Sequence, residues 1–118
     1  MVRARGAPRA LGRQIGEAAA LQIRQMLTSY RELIESNRPR LNLGWAEAGL
    51  QARKYGRYAL GGHMEELHGM AEGAGAEFED LLALNCIEAI VSDALHLKCT
   101  SLALGPEWTN DRHVLLAH

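Results

Sequence analysis

The stretch LHLKCTSLAL, residues 95–104, decides the fold class, because the hydrophobic pattern of the chain changes there. Within it, apolar or small residues occupy every second position: Leu95, Leu97, Cys99, Ser101 and Ala103. This period of two is typical of a β-strand and predicts one over 97–104. Gly105 and Pro106 mark a loop, and residues 113–118 predict a second strand that completes a hairpin.

A hairpin of two strands is marginal in water and leaves two strand edges unpaired. We therefore expect further strands to follow in the natural protein, so that this sequence is a truncated, N-terminal fragment of a longer chain. The expected class is α+β, with an N-terminal helical segment and the start of a sheet.

Four helices are predicted before the hairpin. The first spans 13–35 and has an apolar stripe at steps of three and four, formed by Ile15, Ala19, Ile23, Met26, Tyr30, Leu33 and Ile34. The second and third span 43–60 and 63–72. The fourth spans 77–92 and is apolar on most sides, which predicts that it is buried. Its first turn is acidic, which suits the positive end of a helix dipole, and contains Glu77, Glu79 and Asp80.

Composition and charge narrow the function classes. The chain has 118 residues, 47% of them hydrophobic, which suits one globular domain. Its formal net charge is −1, so no broad electrostatic field favours a nucleic acid or a membrane as partner, and we expect neither. The two cysteines do not make a disulfide framework, and free thiols indicate a reducing compartment. We therefore expect a cytoplasmic protein.

Cys99 is the main candidate for chemistry, because it lies at the predicted switch from helix to strand and follows Lys98. A thiol in a strand of period two is commonly a small buried hydrophobe, so the residues alone leave a packing role open as well. Cys86 lies in the most apolar helix, where core packing is the better interpretation.

Three stretches carry a pattern of their own. The first is GAPRALGRQIGEAA, residues 6–19, in which glycine, x, proline is followed by glycine, x, glutamine, x, glycine. The second comprises EELHGMAEGAG, residues 65–75, and FEDLLALN, residues 78–85. The third is CTS, residues 99–101, followed by DRHVLL, residues 111–116. In their order and spacing they resemble the isopenicillin-N-type acyl-CoA:6-aminopenicillanic acid acyltransferases, the C45 peptidases.

The resemblance implies a self-processing N-terminal-nucleophile enzyme with an αββα sandwich fold. The Lys98–Cys99 bond would be cut autocatalytically, and Cys99 would become the nucleophile of an acyltransferase or amide hydrolase. Residues 1–98 would form a helical propeptide or small-subunit region, and 99–118 the first hairpin of the catalytic large subunit. The substrate would be a small-molecule acyl amide or an acyl-CoA, and the rest of the large subunit would be the partner. No cofactor or metal is implied, and this fragment alone is expected to be inactive.

Two other functions remain open. The chain could be a non-catalytic helical binding module whose hairpin completes the sheet of a partner. It could also be a small zinc-stabilised domain, since Zn²⁺ accepts histidine and cysteine ligands, and four lie in or next to the predicted hairpin: His96, Cys99, His113 and His118. Their spacing matches no standard zinc finger or ribbon.

Overall fold

The computed structural model describes residues 4–95, 102–104 and 113–117 of the chain. The helices of this part are α1 (Pro8–Ala18), α2 (Ala20–Ser36), α3 (Arg38–Leu41), α4 (Trp45–Gly56), α5 (His63–Ala74) and α6 (Phe78–Leu95). Two short strands follow, β1 (Leu102–Leu104) and β2 (Leu115–Ala117). None of the helices in these ranges is both long and apolar enough to cross a membrane.

The first predicted helix is divided in two at Ala19. Ala19 leaves helical geometry with φ −112° and ψ 16°, although its N–H still donates to the carbonyl oxygen of Ile15. Alanine is the best helix former, so its own chemistry does not explain this break. The break lets α1 turn away from α2 and pack along α5, and tertiary packing therefore sets it.

Helices α1 and α5 pack as a parallel pair, with glycines at their contact. A Cβ added at Gly12 would lie 1.8 Å from the carbonyl oxygen of Glu66, and one added at Gly16 would lie 2.2 Å from that of Met70. The α5 glycines face α1 in the same way. Residue numbers rise together along both helices, which makes the pair parallel. Small residues four apart allow two helix backbones to approach this closely.

The hydrophobic core lies where α2, α4 and α6 meet. Its most fully buried large side chains are Ile34, Leu81 and Ile90. Small residues on α4 let that helix pack tightly, since Ala48 and Ala52 have no exposed surface. The face of α2 that points inward differs from the predicted stripe: Leu27 is buried, whereas Leu33 is 54% exposed. Leu27 and Ile34 are seven residues apart and therefore lie on one face of the helix.

The strands β1 and β2 pair with each other in an antiparallel register. Leu102 is opposite Ala117, and Leu104 is opposite Leu115. Each strand has three residues, and both lie within the spans for which strands were predicted.

The expected α+β class, the start of an αββα sandwich, is wrong for the described residues. These residues form a helical globule, and their only strands are the three-residue pair. The physical reason is that the apolar faces of the helices bury one another, so this part of the chain needs no sheet to cover its core. The predicted boundary between 98 and 99 stays a prediction, because both residues lie outside the described ranges.

Candidate functional site

The predicted catalytic residue Cys99 and its neighbour Lys98 lie outside the described residues. In sequence they fall between the end of α6 at Leu95 and the start of β1 at Leu102. The nucleophile and the cleavage site therefore stay predictions.

The other cysteine is described. Cys86 is half-buried on α6 and packs against the hydrophobic core. Burial raises the pKa of its thiol, because a low-dielectric environment disfavours the charged thiolate. Since the thiolate is the reactive form, Cys86 is a poor nucleophile.

The zinc hypothesis falls mostly outside the described residues, which include His113 but not His96, Cys99 or His118. Among the residues that the structure does describe, no three histidine, cysteine or acidic side chains are grouped to hold a metal ion. His68 makes a different contact: its ring stacks on Phe78, with the ring centres 3.6 Å apart and the planes 9° from parallel.

A polar cluster joins α2, α4 and α6 around Asp80. The indole N–H of Trp45 donates to Asp80 Oδ1 at 2.7 Å, and Arg31 donates to Asp80 Oδ2 at 2.6 Å. The Arg31 guanidinium also lies over the Trp45 ring, 5.6 Å from its centre, where the ring face attracts a cation. Asp80 therefore holds three helices together, a role beyond the helix-dipole interaction predicted for it.

A groove of about 430 Å³ lies beside this cluster, between α2 and the turn from α5 to α6. Its charged lining side chains are of both signs: Arg24, Arg31, Glu32, Glu77 and Asp80. Arg24 donates to the carbonyl oxygen of Ala74 at 2.7 Å, so it caps the end of α5. Both arginines that line the groove are already bonded within the fold, Arg24 to Ala74 and Arg31 to Asp80, so neither is available to select an anionic ligand.

The stretch 6–19, the first of the three that carry the resemblance, has a second structural feature besides its glycines. The Gln14 side-chain amide donates to the carbonyl oxygen of Arg5 at 2.8 Å and accepts from the Arg5 N–H at 3.3 Å. This pair of bonds fixes the chain just before α1. The glutamine of the pattern glycine, x, glutamine, x, glycine thus closes the N-terminal turn, while its two glycines contact α5.

Ion pairs cross the same pair of helices at its surface. Arg9 on α1 bonds to Glu72 and lies 3.4 Å from Glu65, both on α5. The hydrogen bond with Arg9 lowers the pKa of Glu72 and raises that of Arg9. These side chains are about half exposed, so water and salt screen much of the interaction.

The end of α6 that leads towards Cys99 is attached to α4. The Tyr55 hydroxyl donates to the carboxylate of Asp93, and this bond is the main reason that the pKa of Tyr55 is raised. At the other end of α6, Arg53 on α4 pairs with Glu79 at 3.0 Å. The two contacts fix the direction of α6 relative to α4.

No family model, curated protein or solved structure matches this chain.

Proposed function

We propose that this chain belongs to a self-processing cysteine enzyme, an acyltransferase or amide hydrolase, whose nucleophile Cys99 is released by cleavage of the Lys98–Cys99 bond. The proposal rests on the resemblance to the C45 acyltransferases. It does not depend on the sandwich fold, which the described residues do not form.

One structural observation supports the proposal. Two of the segments that carry the resemblance, 6–19 and 65–75, are 46 residues apart in sequence. They nevertheless contact each other as α1 and α5. Each contributes a pair of glycines four residues apart, and a side chain at any of the four would strike the backbone of the other helix. The two segments thus pack together as one unit, which is expected if both belong to the same structural element of one enzyme family.

The chemistry needs only the cysteine, its own backbone and water. Attack of the Cys99 thiolate on the carbonyl carbon of Lys98 breaks the peptide bond and forms a thioester, and the α-amine of Cys99 takes a proton. Water then hydrolyses the thioester, which frees the thiol and leaves a carboxylate on Lys98. The new α-amine, with an ordinary pKa of about 7.7–8.0, is partly neutral at physiological pH and serves as general base for the thiol.

In turnover the thiol attacks the acyl carbonyl of an amide or an acyl-CoA. A second thioester forms, and the amine or coenzyme A leaves. An acceptor amine or water then takes the acyl group and regenerates the thiol. Each hydrogen-bond donor that stabilises the oxyanion would raise the rate of this step by about 10²–10³.

Intact-mass analysis of the protein expressed from its own gene, through whatever follows residue 118, tests the cleavage. We expect two polypeptides, with the second beginning at Cys99. Cys99→Ala should leave one uncut chain, and Cys86→Ala, the matched control, should be cut like the wild type. An uncut wild-type chain, or a Cys99→Ala protein that is still cut there, contradicts the proposal.

Trapping of the acyl group tests the second step. The cut protein, incubated with a series of acyl-CoA thioesters and acyl amides, should gain the mass of one acyl group on the Cys99 polypeptide. Hydroxylamine should remove that mass, because it cleaves thioesters. If the protein is cut but no donor acylates it, self-processing stands and the acyl-transfer role is lost.

A further inference from the structure

One end of the molecule combines basic and apolar side chains on an exposed turn. Tyr58 and Leu60, in the segment between α4 and α5, are 86% and 73% exposed. No other large hydrophobic side chain in the described ranges is as exposed as these two. Exposing two such side chains in one short segment has a hydrophobic cost, which a binding partner would remove.

The charges around them are free to meet a partner. Lys54 and Arg57 are exposed, and neither side chain has an ion pair or hydrogen bond among the described residues. The Tyr58 N–H donates to the carbonyl oxygen of Tyr55, so the helical turn continues past Gly56. Lys54, Arg57 and Tyr58 are therefore three and four residues apart on one side of that turn.

The start of α1 lies against the same segment. A Cβ at Gly62 would lie 3.3 Å from Pro8 Cγ, so the segment before α5 contacts the first residue of α1. The first turn of α5 has two acids, of which Glu65 is already paired with Arg9. Asp93, which is close to Tyr55, is engaged by the Tyr55 hydroxyl, and the Glu66 side chain has no ion pair among the described residues.

We propose that this basic end, defined as Lys54, Arg57, Tyr58 and Leu60, binds an anionic lipid surface. Two isolated apolar side chains are too few for a stable protein interface, which buries more than about 1,000 Å² in total. A lipid interface suits them, because tyrosine and leucine enter the headgroup layer singly while lysine and arginine meet the phosphates.

The net charge of −1 does not oppose this binding. Charges are screened beyond about 8 Å at physiological salt, so a membrane interacts with the nearest side chains and not with the average over the chain. Binding of this kind is peripheral and reversible, and it needs no membrane-spanning segment.

Co-sedimentation of the full chain with vesicles tests the proposal. We expect binding to phosphatidylcholine vesicles that contain about 30% phosphatidylserine, little binding to phosphatidylcholine alone, and loss of binding at high salt. Arg57→Glu should weaken the binding about tenfold, because it replaces an attraction by a repulsion. The matched control is Arg40→Glu, an equal charge reversal on the exposed surface of α3.

The apolar contribution has its own pair of variants. Leu60→Ser should weaken the binding severalfold, whereas Leu21→Ser, at a residue on α2 that is 60% exposed, should not change it. Equal binding to both kinds of vesicle, or equal effects of Arg57→Glu and Arg40→Glu, would overturn the proposal. Salt-sensitive binding to poly-glutamate without binding to vesicles would also overturn it, because the partner would then be an acidic protein.

Discussion

The Cα of Gly69 on α5 faces the carbonyl oxygen of Arg9 on α1 so closely that a methyl group on Gly69 would lie 1.9 Å from that oxygen. The other three glycines of the contact have the same relationship to the opposite backbone, at 1.8 to 2.2 Å. The two helices can therefore keep this distance only while all four positions lack a side chain.

We predict that Gly69→Ala lowers the free energy of unfolding by about 3 kcal/mol, because the helices must separate to admit the methyl group. Urea-induced unfolding followed by circular dichroism measures this change. The control is Gly49→Ala on α4, where an added Cβ meets no atom within 4 Å. That variant should be more stable than the wild type by about 0.5–1 kcal/mol, because alanine favours the helix. If both variants behave alike, the close contact of α1 and α5 is wrong.

The Trp45–Asp80 bond gives a second prediction. Asp80→Ala should cost about 2–3 kcal/mol of unfolding free energy, since it leaves the half-buried indole N–H and the Arg31 guanidinium without their acceptor. Glu79→Ala, one residue away, should cost less than about 1 kcal/mol, because its pair with Arg53 is exposed to water. Chemical denaturation of the two variants compares them. Equal losses would mean that Asp80 acts only through the helix dipole.

The positions of the helices could be predicted from the sequence more reliably than the contacts between them. The spans 43–60, 63–72 and 77–92 correspond to α4, α5 and α6 to within a few residues, because apolar periodicity and glycine stops are local signals. The break at Ala19 is not local: it depends on α5, which lies more than 40 residues further along the chain. The residues around Ala19 carry no local pattern that predicts the break.

Side-chain partners were harder still to predict. Trp45 is buried and its indole N–H donates to Asp80, for which the sequence predicts only an interaction with the helix dipole. A signal for the pair did exist, since a buried indole N–H needs an acceptor and the first turn of an apolar helix offers acids near the core. Choosing Asp80 over Glu77 or Glu79 requires the angle between α4 and α6, which the sequence does not contain.

The Tyr55–Asp93 bond predicts how stability changes at alkaline pH. The pKa of Tyr55 is raised above its ordinary value of 10.0, mainly because its hydroxyl donates to the Asp93 carboxylate. A raised pKa in the folded state means that the contribution is fully present below pH 10 and is lost as the pH rises through the folded pKa. Thermal unfolding at a series of alkaline pH values should therefore show a steeper loss in the wild type than in Tyr55→Phe. Tyr58→Phe, at an exposed site, should follow the wild type, and the same slope in all three proteins would contradict the prediction.

The Arg9–Glu72 pair predicts one contribution to how stability changes at acidic pH. The pKa of Glu72 is lowered, mainly by the hydrogen bond with Arg9, so its contribution is present above its ordinary pKa of 4.5 and is lost as the pH falls through the folded value. Glu72→Gln should make the denaturation midpoint less sensitive to pH below 4.5. Glu32→Gln is the control, because Glu32 has no ion pair among the described residues. Added salt should reduce the difference between wild type and Glu72→Gln, since the pair is exposed.

The last prediction concerns the residue before the proposed nucleophile. Lys98 precedes the proposed scissile bond, and a glycine there would give that bond access to backbone conformations that lysine reaches only with strain. Lys98→Gly should therefore speed self-cleavage severalfold, as followed by intact mass at intervals after synthesis. Leu97→Gly adds the same freedom one residue further from the bond and should have a smaller effect. Slower cleavage in Lys98→Gly than in the wild type would mean that the lysine itself assists the reaction, and backbone freedom would then not be what limits it.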